Sequence, residues 1–148
     1  MKYFDLASDS KVWIYQADRV LSSTEINWIE EQLQQFVGQW AAHGAKLKAQ
    51  GKVIGQYHVV IAVDQNFANA SGCSIDASVR FIKTIGQELE INFFNRMKLL
   101  VEKDGEQQLV PFSSIKEYPE SMVYNNLVDR LDVFEKSWVT KVAESPFV

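Results

Sequence analysis

Cysteine is almost absent from this chain. One residue, Cys73, stands among 148, so no internal disulfide can form and a reducing cytoplasm is the expected compartment. An excess of positive charge is also missing: 15 Lys and Arg stand against 19 Asp and Glu, a net charge of -4. Nucleic-acid binders are more often basic, so this balance speaks against that class of partner. No apolar run is long enough to cross a bilayer. The stretch from Met1 to Lys11 mixes Lys2, Asp5, Asp9 and Lys11 with few apolar residues, so neither a secretory leader nor a membrane partner is expected. Low-complexity segments, linkers and internal repeats are lacking too, and His43 and His58 are the only histidines.

What remains is an ordinary globular composition, 47% apolar and 23% charged. A single domain over 1–148 can bury a core at this length without disulfides or metals. Residues Lys11 to Ala17 alternate, with Val12, Ile14 and Gln16 on one side and Trp13, Tyr15 and Ala17 on the other, which predicts a strand. Ser22-Ser23-Thr24-Glu25 fits a capping box, and Ile26, Ile29, Leu33, Phe36, Val37 and Trp40 follow at helical spacing. Glu30, Glu31, Gln34 and Gln35 would form the wet side, and Gly44 would stop the helix. Residues 45 to 55, with Lys46, Lys48 and Lys52, read as a solvated loop. Tyr57 to Val63 reads as a central strand buried on both faces, ending at Asp64.

A second helix is expected with Ser74 as N-cap, Asp76 in its first turn, and Ile75, Val79, Ile82, Ile85 and Leu89 along one face. Gly86 inside it suggests close packing. Arg96 to Lys103 and Glu106 to Val110 flank Asp104-Gly105, a two-residue hairpin signal. Ser114 to Glu117 offers another capping box, cut short by Pro119. Residues 120 to 143 suit either a strand at Met122 to Val128 or a helix through Leu127, Leu131, Phe134 and Trp138. The order β-α-β-α-β-β with a mixed C-terminal segment predicts an α+β domain: a small, largely antiparallel or mixed sheet with helices on one face.

Four segments carry a resemblance: Trp40-Ala41-Ala42-His43-Gly44, Ala62-Val63-Asp64, Ser71-Gly72-Cys73-Ser74-Ile75-Asp76 and Phe93-Phe94-Asn95-Arg96. Together they resemble an uncharacterised family of small bacterial proteins, mainly from Bacteroidetes, often labelled ABC transporter ATPases. The resemblance implies no activity, and the residues argue against the label. A P-loop needs G-x-x-x-x-G-K-[ST] so that backbone amides can cradle phosphates and a hydroxyl can bind magnesium. Gly51-Lys52-Val53 has Lys46 in place of the first glycine and Val53 in place of the hydroxyl, and it precedes a strand.

Cys73 is the candidate nucleophile or redox thiol, because a helix N-terminus favours the thiolate, with His43 or His58 as its base. The competing expectation is a small residue buried where strand meets helix. Asp64 and Asp76 could share a divalent ion with Ser71 and Asn95, yet their spacing matches no recognised metal motif; an Asx-turn at Asp64 and a dipole partner at Asp76 are the simpler reading. His43 would carry protons or bind the last helical carbonyls. Arg96 would clamp an anion or pair with Asp64 or Asp76.

Two functions follow. In the first, Cys73, His43 and Asp76 catalyse, and Ser71, Ser74, Asp64, Asn95 and Arg96 bind a small ligand at the helix start. In the second, the chain is a non-catalytic interaction or adaptor domain, for instance a homodimer, with an exposed apolar patch from Phe134, Trp138 and Phe147. No cofactor or metal is indicated by either.

Overall fold

Seven consecutive buried residues, His58–Asp64, form the centre of the fold. They are the middle strand β5 in a computed structural model that describes residues 2–42, 44–66 and 70–148. Around β5 the order is β1 (Lys11–Gln16), α1 (Ser23–Gln39), β2 (Ala41–Ala42), β3 (Ala45–Lys46) and β4 (Lys48–Ile54). After it come α2 (Gly72–Leu89), β6 (Lys98–Lys103), β7 (Glu106–Pro111), β8 (Met122–Tyr124), α3 (Leu131–Ser137) and β9 (Val139–Lys141). Two main sheets result, β1-β5-β4 and β7-β6-β8-β9, with a minor ladder β2-β3. Every pairing among the described residues is antiparallel, and the class is α+β. No helix is long and apolar enough to cross a membrane among the described residues.

The alternation predicted for β1 places its residues as expected. Tyr15 joins Val59, Ile61 and Val63 beneath Ile29, Leu33, Ile82 and Ile85 of the two long helices, α1 and α2. Val12, Val60 and Ala62 face the other way, toward Phe4, Leu131, Phe134 and Trp138. The long helices thus cover one face of the first sheet, and the short α3 lies against the other. Strand β5 is buried on both faces for this reason.

Three local expectations are corrected. Residues 45 to 55 are not a loop: β4 pairs with β5 from Lys48, opposite Asp64, to Ile54, opposite His58. The lysines hid the strand pattern, and Gly51 weakened it. A Cβ at Gly51 would stand 2.7 Å from Leu33 Cγ, so the glycine lets α1 approach the sheet. Helix α1 ends at Gln39, five residues before Gly44, because Trp40 turns extended (φ -69, ψ 130) and buries its ring. Gly44 instead makes the turn between β2 and β3, at φ 79. Glu30 and Gln34 are not simply wet either. Glu30 accepts the Val53 N–H at 2.6 Å and Gln34 donates to the Gly51 carbonyl at 3.0 Å, so α1 side chains cap backbone groups of the edge strand β4.

Ser22 and Glu25 form the predicted capping box, and Arg19 adds to it. Its guanidinium makes two bonds to Glu25 (2.9 and 2.7 Å) and one to the Leu89 carbonyl, tying the start of α1 to the end of α2. The Asp104-Gly105 hairpin joins β6 to β7 with φ 54 and 81, both positive as a type I′ turn requires. Ser114 and Glu117 form no box: Phe112–Glu117 is a 3-10 helix whose N-cap, Pro111, makes no side-chain bond. The region from 120 to 143 resolves into both alternatives, strand β8 and then helix α3. Leu127 belongs to neither and is 62% exposed. The proposed surface patch is overturned in the same place. Phe134 (1% exposed) and Trp138 (2%) are core, because the second face of the first sheet needs covering; only Phe147 stays half-buried.

Gly86 does mark close packing. Ile91 donates to its carbonyl at 2.8 Å as the chain folds back past Glu90 (φ 57), and an added Cβ would sit 2.5 Å from the Ile91 oxygen. Alanine would favour the helix by about 1 kcal/mol. The backbone clash outweighs it, and Gly86→Ala is expected to lower stability by about 2 kcal/mol net in urea denaturation. A gain in stability would show that the segment after α2 moves aside freely.

Candidate functional site

The Ser71–Asp76 junction is a helix start, with a cap one turn earlier than expected. Ser71 is the N-cap, at φ -93 and ψ 169, and Ser74 is N3. Each side chain bonds the other's backbone: Ser74 N–H to Ser71 Oγ at 3.3 Å, and Ser71 N–H to Ser74 Oγ at 2.7 Å. Sequence reasoning gave the cap to Ser74 because a serine so often precedes an apolar run; a box made of two serines lacks the Glu or Gln that usually signals it. Asp76 consequently lies beyond the first turn and is exposed. Cys73 is exposed as well, which removes the expectation of a buried packing thiol. The Ser74 carbonyl accepts the indole N–H of buried Trp40 at 2.9 Å, which pins the helix start to the end of α1.

The other expected site residues lie elsewhere. Asp64 is 2% exposed and accepts from Asn66 N and Nδ2, both at 3.0 Å, which is the Asx-turn reading. It stands at the opposite end of β5 from His58, about 20 Å along the strand. Among the described residues no hydrogen bond or ion pair joins Cys73, Asp64, Asp76 and Arg96, so the structural bridge expected from Arg96 to either aspartate is not formed. No group of three or more potential His, Cys, Asp or Glu ligands gathers among them either. His43 lies outside the described residues. Gly51-Lys52-Val53 is extended strand β4, a backbone shape unlike the loop that cradles phosphates.

Asn95 and Arg96, in contrast, do line a concavity. It is a cleft of about 250 Å³ between the two sheets, where the end of β1 meets the start of β6. Tyr15, Phe93, Phe94, Phe112 and Phe147 supply much of its apolar wall, with Leu127 at the side. Tyr15 and Phe94 meet edge to face at 5.7 Å, and Phe112 and Phe147 at 5.9 Å. Burial pushes the Tyr15 phenol up, against the hydrogen bond with Ser78 and the charge of Arg96, so it stays neutral. Arg96 and Lys98 are exposed and are the charged residues of the described lining, in which no carboxylate occurs.

Two carboxamides, Gln16 and Asn126, also line the cleft and belong to a partly buried chain of hydrogen bonds. Trp138 Nε1 donates to Asn126 Oδ1 at 3.0 Å, and Asn126 Nδ2 donates to Gln16 Oε1 at 2.9 Å. Gln16 Nε2 donates to the Lys98 carbonyl at 3.2 Å, linking the sheets. His58 Nε2 lies 3.2 Å from the same Gln16 oxygen, with its ring stacked on Tyr124 and edge-on to Trp138. Burial drops the His58 pKa to about 3, so the ring is neutral.

Sequence reasoning missed Gln16, Asn126, Lys98 and Phe112 as site residues. One signal was available: Gln16 is a polar residue on the apolar side of an alternating strand, sharing it with Val12 and Ile14. Compared with family models, with curated proteins and with solved structures, the chain matches none.

Proposed function

We propose that this chain is a small-ligand-binding domain whose site is the cleft between the two sheets, and that its ligand is an organic anion with an apolar body. The observation that carries this reading is the charge of the cleft: a chain with net charge -4 lines it with Arg96 and Lys98 and, among the described residues, no acid. Aromatic walls would hold the apolar body, as in most small-molecule sites. A guanidinium fork suits a planar oxyanion. Asn95 and Arg96 keep the binding role assigned from the sequence, while the α2 start carries a cap and the exposed thiol. The resemblance of the four segments, Trp40–Gly44, Ala62–Asp64, Ser71–Asp76 and Phe93–Arg96, to the uncharacterised bacterial family belongs to the same proposal and assigns no activity.

Isothermal titration with naphthoate tests it. Wild type should bind, Arg96→Gln should bind about tenfold or more weakly, and Cys73→Ser should bind like wild type. Equal binding by Arg96→Gln, or loss of binding in Cys73→Ser, would overturn the placement of the site.

A further inference from the structure

We infer that the cleft selects ligands whose polar end only accepts hydrogen bonds, a carboxylate or a phosphate monoester, and rejects the matching amide. This rests on the reading of the cleft as an anion site and adds a rule for its head group.

The orientation of the two floor carboxamides follows from fixed donors and acceptors at the ends of their chain. An indole N–H can only donate, so the Asn126 atom facing Trp138 is its oxygen. Its nitrogen therefore faces Gln16, which must answer with oxygen. The Lys98 carbonyl can only accept, and it independently requires the Gln16 nitrogen on its side. Both ends give the same answer. With Gln16 Oε1 an acceptor, neutral His58 must carry its proton on Nε2.

The consequence is that each of these carboxamide oxygens is turned to a donor inside the protein. Gln16 Oε1 takes two donors and Asn126 Oδ1 takes the indole. Asn95, on the wall, turns its Oδ1 to the Met97 N–H at 2.9 Å. Each primary amide has two N–H groups. Gln16 and Asn126 each spend one in the chain, which leaves one N–H uncommitted on each of two residues that line the cleft. Arg96 and Lys98 add donors and no acceptor. A ligand amide or amine would bring N–H groups that meet other donors, whereas an oxyanion brings acceptors alone. His58, Trp138 and the Lys98 carbonyl are positioning groups: they act by holding the carboxamides in one orientation.

Titrating wild type with naphthoate, naphthyl phosphate and naphthamide tests the rule. The oxyanions should bind at least about tenfold tighter than the amide, and the better of the two identifies the head group as planar or tetrahedral. Asn126→Asp is nearly isosteric and can still accept from Trp138, but it replaces a donor with an acceptor. It also sets an acceptor against Gln16 Oε1, a loss that falls on both ligands alike, so naphthoate should weaken about tenfold or more beyond any weakening of naphthamide, whereas equal weakening of both would count against the rule. Naphthamide binding as tightly as naphthoate to wild type would overturn the selection rule and leave the binding site standing. Failure of all three compounds to bind would overturn the anion site itself, and the rule with it.

Discussion

Between pH 6.5 and about pH 3 the fold is expected to lose stability at a limiting slope of about 1.4 kcal/mol per pH unit because of one side chain, His58. Burial among Gln16, Tyr124 and Trp138 holds its pKa near 3, while the unfolded chain returns it to 6.5. In that window the unfolded state binds a proton that the native state refuses. Stability from the neutral ring is therefore complete above pH 6.5 and is lost as pH falls, by about 5 kcal/mol at the low end. Carboxylates add to the loss only further down. Glu25, held at about 2 by Arg19 and the Ser22 N–H, contributes above its ordinary 4.5 and loses that contribution between 4.5 and 2. The interval from pH 6.5 to 5 thus isolates the histidine. Urea denaturation there should show a steep slope in wild type and a flat one in His58→Gln, which stays uncharged. A flat wild-type profile, or an unchanged slope in the variant, would refute this account.

Truncating Trp138 should be nearly as damaging at neutral pH. Its ring lies 4.7 Å from that of Phe134, 4.8 Å from His58 and 4.9 Å from Tyr124, and it fills the space between α3 and the first sheet. Trp138→Ala removes that packing and also strands Asn126 Oδ1 without its donor. Core aromatic truncations cost about 3 to 5 kcal/mol, and an orphaned carbonyl puts this one at the upper end. Guanidinium denaturation measures it. A cost below about 1 kcal/mol, the range of a surface site, would return Trp138 to the exposed patch expected from sequence and contradict its burial.

The two experiments probe one junction, and that junction was the least legible part of the chain. Residues 120 to 143 carry a strand pattern and a helix pattern in overlap, and both are real, three residues of β8 and seven of α3. Between them, Asn125 and Asn126 look like turn residues. The Asn125 carboxamide does make such a turn, accepting from Leu127 N–H at 3.1 Å, while Asn126 reaches 110 positions back to Gln16. Nothing in the local pattern distinguishes the two.

Elements defined by short-range physics were read from the sequence alone. The Ser22–Glu25 box, the Asp104-Gly105 turn and the faces of β1 each need only a few neighbouring residues, and β5 needs only its run of apolar side chains. Strand β4 was not readable, because its two lysines reflect an edge position in the sheet and its glycine the nearness of Leu33 from α1, and neither is set by neighbouring residues. The site divided along the same line. Asn95 and Arg96 could be picked out as polar residues at an element end. Which residues they would meet was decided by the docking of the second sheet against β1, since the hydrogen bonds that build the cleft floor join positions 42, 82 and 110 apart. The sequence determined the pieces because caps, turns and alternation are local. Only the tertiary structure could decide how the floor carboxamides are turned, because orienting one takes a partner of fixed polarity, and here those partners stand 12 positions from Asn126 (Trp138) and 82 from Gln16 (the Lys98 carbonyl).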